Sequence, residues 1–465
     1  MPRKSVKTQE VVAVPAIVNN EAKDSNPSKS PFSTPRGSAT AEQGDLKINK
    51  QEEMMVAKEE NNNRVVIVNP QKDQTIMSPK VDTSLLNKKI EVENNPMRLE
   101  IISGILEIMP DGQGFVRPKF NPGHKDAVIG SMQIRRYSLR MGDLITGVAK
   151  APKQNEKYWS LVRIDKINGL DLLAAQNRAE FKDLVPIYPV KQVKLEFDSK
   201  MFSTRIIDIF CPIGFGQRGM IVSPPKAGKT TLLKEIAAGV AANYPEVHLM
   251  AVLVGERPEE VTDMQRFVKG EVIASHFDQK PEEQTRAAEI AIERAKRLVE
   301  MGKDVFMVFD SITRLARAYN LAIPTSGRTL SGGFDPAALY PSKKFFGAAR
   351  KIENGGSLTI IGTALVDTGS KMDELIFEEF KGTGNMELRL ERKLAERRIF
   401  PAFDILKSGT RKEELLLPAE TLSRVMAMRR MFDNLEEKDQ MTELIIDQMN
   451  KTETNEDFLK KVGKR

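Results

Sequence analysis

The 465-residue chain has one cysteine, one tryptophan and three histidines. The lone Cys211 excludes an internal disulfide. His124, His248 and His276 are scattered without any spacing of a zinc site; a small buried thiol and ordinary histidines are the expectation. No apolar run approaches the ~18 residues of a membrane span. The first residues also lack the basic-then-apolar layout of a secretory signal, so a cytoplasmic protein with no membrane partner is expected. Acid is in deficit: Lys and Arg number 71 against 64 Asp and Glu, for a formal charge of +7 and a pI near 9.1. That balance suits a polyanionic partner without requiring one. The 40% apolar content, in contrast, supplies a sizeable core.

The texture changes along the chain. Residues 1–97 are rich in Ser, Asn, Lys, Glu and Pro, with Phe32 their only aromatic, and are expected to be a disordered low-complexity tail. Two apolar islands, "VVAVPAIV" and "NRVVIVNP", interrupt it, and a short helix is possible near Thr83 to Ile90. From 98 to 168, short apolar runs broken by turn signals predict a small five-stranded β-barrel. Residues 169–200 read as a linker. From 201 to 465 buried apolar strands alternate with amphipathic helices, the pattern of a parallel sheet covered on both faces. Beyond about 417 only helical pattern remains.

One stretch poses a question. "IVSPPKAGKTTLL" has the G-K-[ST] of a phosphate-binding loop, but Ser223 stands where the full pattern asks for glycine. Its context, a buried strand before and an Ala- and Leu-rich helix after, is the one such a loop needs. Pro225, Lys226, Ala227, Gly228, Lys229, Thr230 and Thr231 then surround the phosphates, with Lys229 reaching the terminal ones and Thr230 holding Mg²⁺. The strand "VFMVFD" ends in Asp310, which reads either as the acid that holds the Mg²⁺ through its water shell or as a helix N-cap. "MAVLVGERPEE" ends its strand in Glu256, placed to polarise the water that attacks the γ-phosphate. Loop, acid strand, acid strand in this order point to ATP hydrolysis.

From Leu99 to the C-terminus the motifs "PPKAGKT", "GERPEEVTDMQR", "DSITRLARAYN", "SGRTLSGG", "DTGSKMDE", "EEFKGTGNMELRL" and "SGTRKEELL" resemble the bacterial transcription termination factor Rho family. That family's phosphate loop also lacks the first glycine, so Ser223 is an acceptable variant. The resemblance implies a RecA-like P-loop ATPase core preceded by an OB or cold-shock-like barrel. It also implies a homohexameric ring with ATP sites between subunits, and RNA-dependent ATP hydrolysis driving 5′-to-3′ translocation on RNA. The expected partners are single-stranded RNA and the RNA polymerase elongation complex, and the expected cofactors are ATP and Mg²⁺. By residue, it implies Lys229 and Lys226 on phosphates, Glu256 as the water-activating base, Asp310 as the acid of the metal site and Arg411 as the arginine finger of a neighbouring subunit. Arg257 and Arg398 are implied at the interface and Phe400 on the nucleobase. In the channel, "PTSGRTLSGGFD" and "DTGSKMDE" offer Arg328, Thr329, Gly332 and Lys371 to RNA, or form plain surface turns.

In the barrel the likeness assigns RNA contact to Phe115, Arg117, Asp126, Glu156, Lys157 and Tyr158, by stacking and phosphate binding. Gln113 and Val128 stand where the family usually carries aromatics, which is expected to weaken or relax base recognition. Trp159 is assigned to the core and its neighbour Tyr158 to the RNA, since successive strand residues face opposite ways. The family usually begins with a small helical bundle, where this sequence is expected to carry a polar tail, so the bundle's usual role is not expected here. Two rival readings stand beside this one: a rotary or export-type ATPase acting on proteins, and an RNA-binding protein in which ATP only holds the assembly together.

Overall fold

The computed structural model describes residues 98–153, 155–433 and 440–462. The tail, with its two islands and the possible helix near Thr83, lies outside the described residues.

The barrel is built from β1 (Leu99–Ile108), β2 (Gly114–Arg117), β3 (Ala127–Ile129), β4 (Leu144–Lys150) and β5 (Trp159–Ile167), with a one-turn-and-a-half helix α1 (Ser131–Arg136) between β3 and β4. It closes in the order β1-β2-β3-β5-β4. Every second side chain turns inward, so Ile102, Leu106, Val116, Ile129, Ile145, Trp159, Leu161 and Ile164 fill the interior. The run "DAVIGSMQIRRYSLRMGD" is therefore only partly strand: after Ile129 the chain turns through Gly130 into α1, whose Ile134 plugs the barrel.

The expected linker is ordered. Within it α2 (Leu172–Gln176) packs against β5, β6 (Pro186–Ile187) pairs with a strand of the main sheet, and β7 (Gln192–Val193) pairs with β8 (Ile213–Gly214) across helix α3 (Phe202–Phe210).

The main sheet follows from β9 (Arg218–Ser223), β10 (His248–Glu256), β11 (Glu271–His276), β12 (Asp304–Asp310), β13 (Arg350–Ile352), β14 (Ser357–Leu365), β15 (Met386–Leu390) and β16 (Phe403–Thr410). Its order is β11-β10-β12-β14-β9-β15-β16, with β13 and β6 alongside β14. All neighbours from β11 to β15 along this path run parallel; β16 returns antiparallel to β15. Strands such as "FMVF" in β12 are buried on both faces, as a helix-covered parallel sheet demands. Helices α4 (Lys229–Asn243), α5 (Pro258–Phe267), α6 (Pro281–Glu300), α7 (Ile312–Ala322), α8 (Pro336–Phe346), α9 (Lys371–Lys381) and α10 (Arg392–Glu396) connect the strands, and α11 (Ala419–Asp433), α12 (Met441–Met449) and α13 (Asn455–Val462) close the chain. Cys211 is 2% exposed, and burial pushes its thiol up to about 12, so it is an inert core residue.

Barrel and core meet along α6 through charge. Arg286 of α6 holds Glu107 of β1 in a two-pronged pair at 2.6 and 2.8 Å and donates to the Phe120 carbonyl. Glu107 in turn meets Arg117, which pairs with Asp126. A second cluster centres on Glu300, which takes Arg140 at 3.0 Å, Arg297 at 2.8 Å and the Phe181 amide. Gly142, at φ +87°, lets the barrel's turn touch α6: a Cβ there would stand 2.5 Å from the Arg294 amide nitrogen.

Candidate active site and nucleic-acid interface

The loop between β9 and α4 is the shape its sequence promises. Ser223 is fully buried, its hydroxyl donating to the Pro224 carbonyl at 2.8 Å. Lys226 sits at φ +68° and Gly228 at φ +94°, a conformation that gives glycine its place just before α4. Lys229 and Thr230 open α4, so free amides and the positive helix end face whatever the loop encloses.

Two acids face that loop. β10 and β12 are parallel neighbours with Leu253 opposite Asp310. An irregularity near Gly255 (φ +64°) then turns Glu256 to the same C-terminal edge. Lys229 Nζ donates to both Asp310 oxygens at 2.7 and 2.6 Å and lies 3.4 Å from Glu256 Oε1. The Thr230 hydroxyl stands 3.5 Å from Asp310 and 3.4 Å from Glu260. Asp310 also accepts from the Thr363 hydroxyl at 2.7 Å, and Arg314 Nε pairs with Glu256 at 2.8 Å.

Burial, and then the charge of Asp310 beside it, push Glu256 up to about 7. Burial works against the charge on Lys229 as well, but Asp310 and Glu256 outweigh it and hold the ammonium above the ordinary lysine value. Helix capping is not the task of Asp310: Ser311 is the N-cap of α7 and accepts from the Arg314 amide. Its hydroxyl has the shorter reach, and Asp310 is left to the strand end.

Beside the loop is a cavity of about 540 Å³ lined by Phe202, Lys226, Gly228, Thr231, Phe400 and Phe403. A Cβ on Gly228 would touch the Phe400 ring at 3.6 Å, so this ring closes the cavity against the loop, and Phe400 as a whole is 47% exposed. Pro225 is exposed and Ala227 buried beneath the loop. Arg257 is exposed and, among the described residues, pairs with Glu260 at 3.8 Å. Thr230 and Asp310 are hard oxygen donors side by side, a fit for Mg²⁺ held with a nucleotide. Among the described residues no cluster of three His, Cys, Asp or Glu could hold a metal by itself.

Arg411 is not brought to this edge. Leu390 pairs with Phe403 near the loop end of β9, and Met386 pairs with Thr410 at its far end, so Arg411 leaves β16 at the opposite end of the sheet from Lys229. There it is exposed, its amide donating to the Asn385 carbonyl. Arg398, exposed at φ +63°, instead lies beside Pro225 and Lys226.

On the barrel, Phe115 and Tyr158 form an edge-to-face pair with centroids 5.0 Å apart. Trp159 faces inward at 8% exposure. Lys157 lies 5.2 Å from the Tyr158 centroid and Arg117 4.9 Å from that of Phe115, both in cation–π range. Glu156 is exposed. Arg117 and Asp126, at 7% and 1% exposure, are spent on each other, so they brace Phe115 from behind instead of facing solvent. Val128 stands across from Phe115 in register, and Gln113 is exposed one residue before β2.

The two glycine-rich loops lie together. A Cβ on Gly332 would stand 2.6 Å from the Met372 amide nitrogen, so the first loop rests on the start of α9, where Lys371 is exposed. Arg328 and Thr329 are exposed in the same loop. Arg317 anchors the second loop from α7, reaching Asp373 and Ser370.

Sequence reasoning missed Arg314, Thr363 and Glu260. Arg314 falls four residues after Asp310 inside "DSITRLAR", a spacing that puts it one helical turn beyond the strand end. Thr363 had no local signal, since only the β12–β14 pairing brings it to Asp310.

Comparison with known families agrees with both halves. Residues 102–172 match a model described as Rho termination factor, RNA-binding domain, and residues 203–410 match the ATP synthase alpha/beta family, nucleotide-binding domain. The chain is 55% identical over 362 residues to the transcription termination factor Rho of Bacillus subtilis, covering 77% of this chain and 84% of that one. It is 54% identical over 364 residues to that of Thermotoga maritima, covering 78% and 85%. A solved ATPase from the type III secretion system of pathogenic bacteria superposes with a TM-score of 0.49 at 24% identity, over 60% of this chain and 86% of that one.

Proposed function

The chain belongs to the transcription termination factor Rho family, and from that premise we propose that it is an RNA-stimulated ATPase that translocates on single-stranded RNA as a homohexameric ring. Its RNA-binding and nucleotide-binding ATPase domains are those of the family. In this reading it acts in the cytoplasm and releases the transcript from the RNA polymerase elongation complex.

The observation that carries the proposal is the position of Arg411. Lys229, Glu256 and Asp310 converge at one end of the sheet while Arg411 projects from the other. A neighbouring subunit stacked head to tail presents that end to the site, and the arginine then stabilises charge on the transferring phosphoryl group.

On nucleotide binding Lys229 exchanges Asp310 for the phosphates, and Phe400 covers the base. Thr230 and Asp310 would hold Mg²⁺, which supplies charge neutralisation for the phosphates. Asp310, released from Lys229, keeps its orientation through Thr363. Glu256, pushed to about 7, accepts the proton of the attacking water at neutral pH. Arg314 holds its carboxylate in place.

RNA binds in two places: Phe115 and Tyr158 stack bases outside the ring, and Arg328, Thr329 and Lys371 meet the strand in the channel. Weak contacts from six subunits add through their shared strand.

The test is release of labelled transcript from stalled polymerase complexes by the full chain. ATP-dependent release, absent with Lys229→Ala, is expected; release that proceeds without ATP hydrolysis would overturn the proposal.

A further inference from the structure

A cavity of about 820 Å³ lies between the barrel and the core, under the loop 118–126 that leaves β2. It belongs to neither the nucleotide site nor the stacking face. The loop contributes Lys119, His124 and Lys125, all exposed, and the half-buried ring of Phe120. Opposite them, Val261 and Ala274 from α5 and β11 make an apolar floor. At its edge are the Gln265 amide and His276, whose Nδ1 is buried without a hydrogen-bond partner.

The charge of the cleft is one-sided. Its single acid, Asp126, is already engaged by Arg117 and by the Gly123 amide. Lys125 has only a 3.5 Å contact to Glu100, and Lys119 has no ion pair among the described residues. The cavity falls within the size range of ligand sites and combines an aromatic wall, an apolar floor and two exposed cations, one of them in a long pair with Glu100. That is the composition of a site for a base with its phosphate. It is also continuous with the stacking face: Arg117, which packs over Phe115, is bonded to Asp126 in the cleft wall.

We propose that this cleft holds the one or two nucleotides of single-stranded RNA adjoining those stacked on Phe115 and Tyr158. Lys119 and Lys125 take the phosphates, Phe120 packs against a base, and Gln265 with the unpartnered His276 Nδ1 meets its polar edge. The strand thereby leaves the barrel over α5, the helix that follows Glu256. This inference rests on the reading of the barrel as an RNA binder.

The test compares oligocytidylates of two and four or five nucleotides on the full chain, by fluorescence anisotropy, with the Lys119→Ala/Lys125→Ala double variant and with Phe120→Ala. The double variant is expected to bind the dinucleotide within twofold of the parent. It should lose about tenfold on the longer oligomer, with a salt slope smaller by about 1.4, from two contacts at about 0.7 each. Phe120→Ala should lose affinity for the longer oligomer without changing that slope. An equal gain with length in parent and double variant overturns the proposal, as does an equal loss at both lengths, which marks a general charge effect. If Phe115→Ala leaves dinucleotide binding unchanged, the failure lies instead with the reading of the barrel.

Discussion

Glu256→Gln should make the protein more stable as it makes it inactive. The parent carboxyl is 1% exposed, and burial together with Asp310 raises it from 4.5 to about 7. Between those values the folded chain keeps a proton that the unfolded chain releases, so stability falls as pH climbs through this window and the cost is complete above about 7. A shift of this size corresponds to roughly 3 kcal/mol at about 1.4 kcal/mol per unit. Gln carries no charge and escapes the cost. Lys229 keeps its two bonds to Asp310, and Arg314, whose Nε is buried without a hydrogen bond but whose side chain is 34% exposed as a whole, loses an ion pair and no hydrogen bond. In nucleotide-free melts the variant should therefore match the parent near pH 4.5 and exceed it by a few degrees at pH 8.5. Hydrolysis should fall by about 10² to 10⁴, the worth of a general base. A stability difference that does not change with pH, or a variant less stable than the parent at pH 8.5, would refute the electrostatic account of this site.

Phe115→Ala removes one half of an aromatic pair and should weaken oligocytidylate binding by about 1 to 3 kcal/mol per stacked base, with RNA-free ATP hydrolysis unchanged. Arg411→Ala and Lys229→Ala should each reduce hydrolysis about 10³-fold or more, yet mixed rings of the two should regain activity, because some interfaces then pair an intact loop with an intact arginine. A mixture no more active than its parts would argue that Arg411 works elsewhere. Arg286→Leu leaves Glu107 buried with only Arg117, already shared with Asp126; urea unfolding followed by Trp159 fluorescence should show a loss of about 3 to 5 kcal/mol. Glu107 is raised by burial but held below the ordinary glutamate value overall by Arg286 and Arg117. The stabilisation it provides in the parent is thus present above about 4.5 and lost as pH falls through its lowered value, and the variant should lose this acid sensitivity.

The α/β core was legible because its strands are buried on both faces and end in chemistry-bearing residues: "VFMVFD" declares both the strand and the acid at its end. The barrel was legible through alternation, and Trp159 and Tyr158 take opposite sides as a strand requires. What escaped depends on pairings distant in sequence. The family likeness offered Arg117 to RNA together with Phe115; Glu107, ten residues upstream on β1, and Asp126 turn it inward. Thr363 reaches Asp310 only because β12 and β14 are neighbours. The stretch 169–200 looked like a connector because β6 and β7 are two residues long, too short for periodicity to register, and each finds its partner twenty or more residues away. At the end of β12 Asp310 read as a possible helix cap, and the geometry gives the cap to its neighbour Ser311.

The most direct test of the account is ATP hydrolysis by the purified full chain without RNA, with poly(C) and with poly(U), repeated on Lys229→Ala and Phe115→Ala. The account predicts strong stimulation by RNA, none in Lys229→Ala, and a higher RNA requirement in Phe115→Ala. The preferred polymer would report on the barrel face that Gln113 and Val128 leave without further aromatics. Hydrolysis at one rate whether or not RNA is present would contradict the account and favour an ATPase that acts on protein partners.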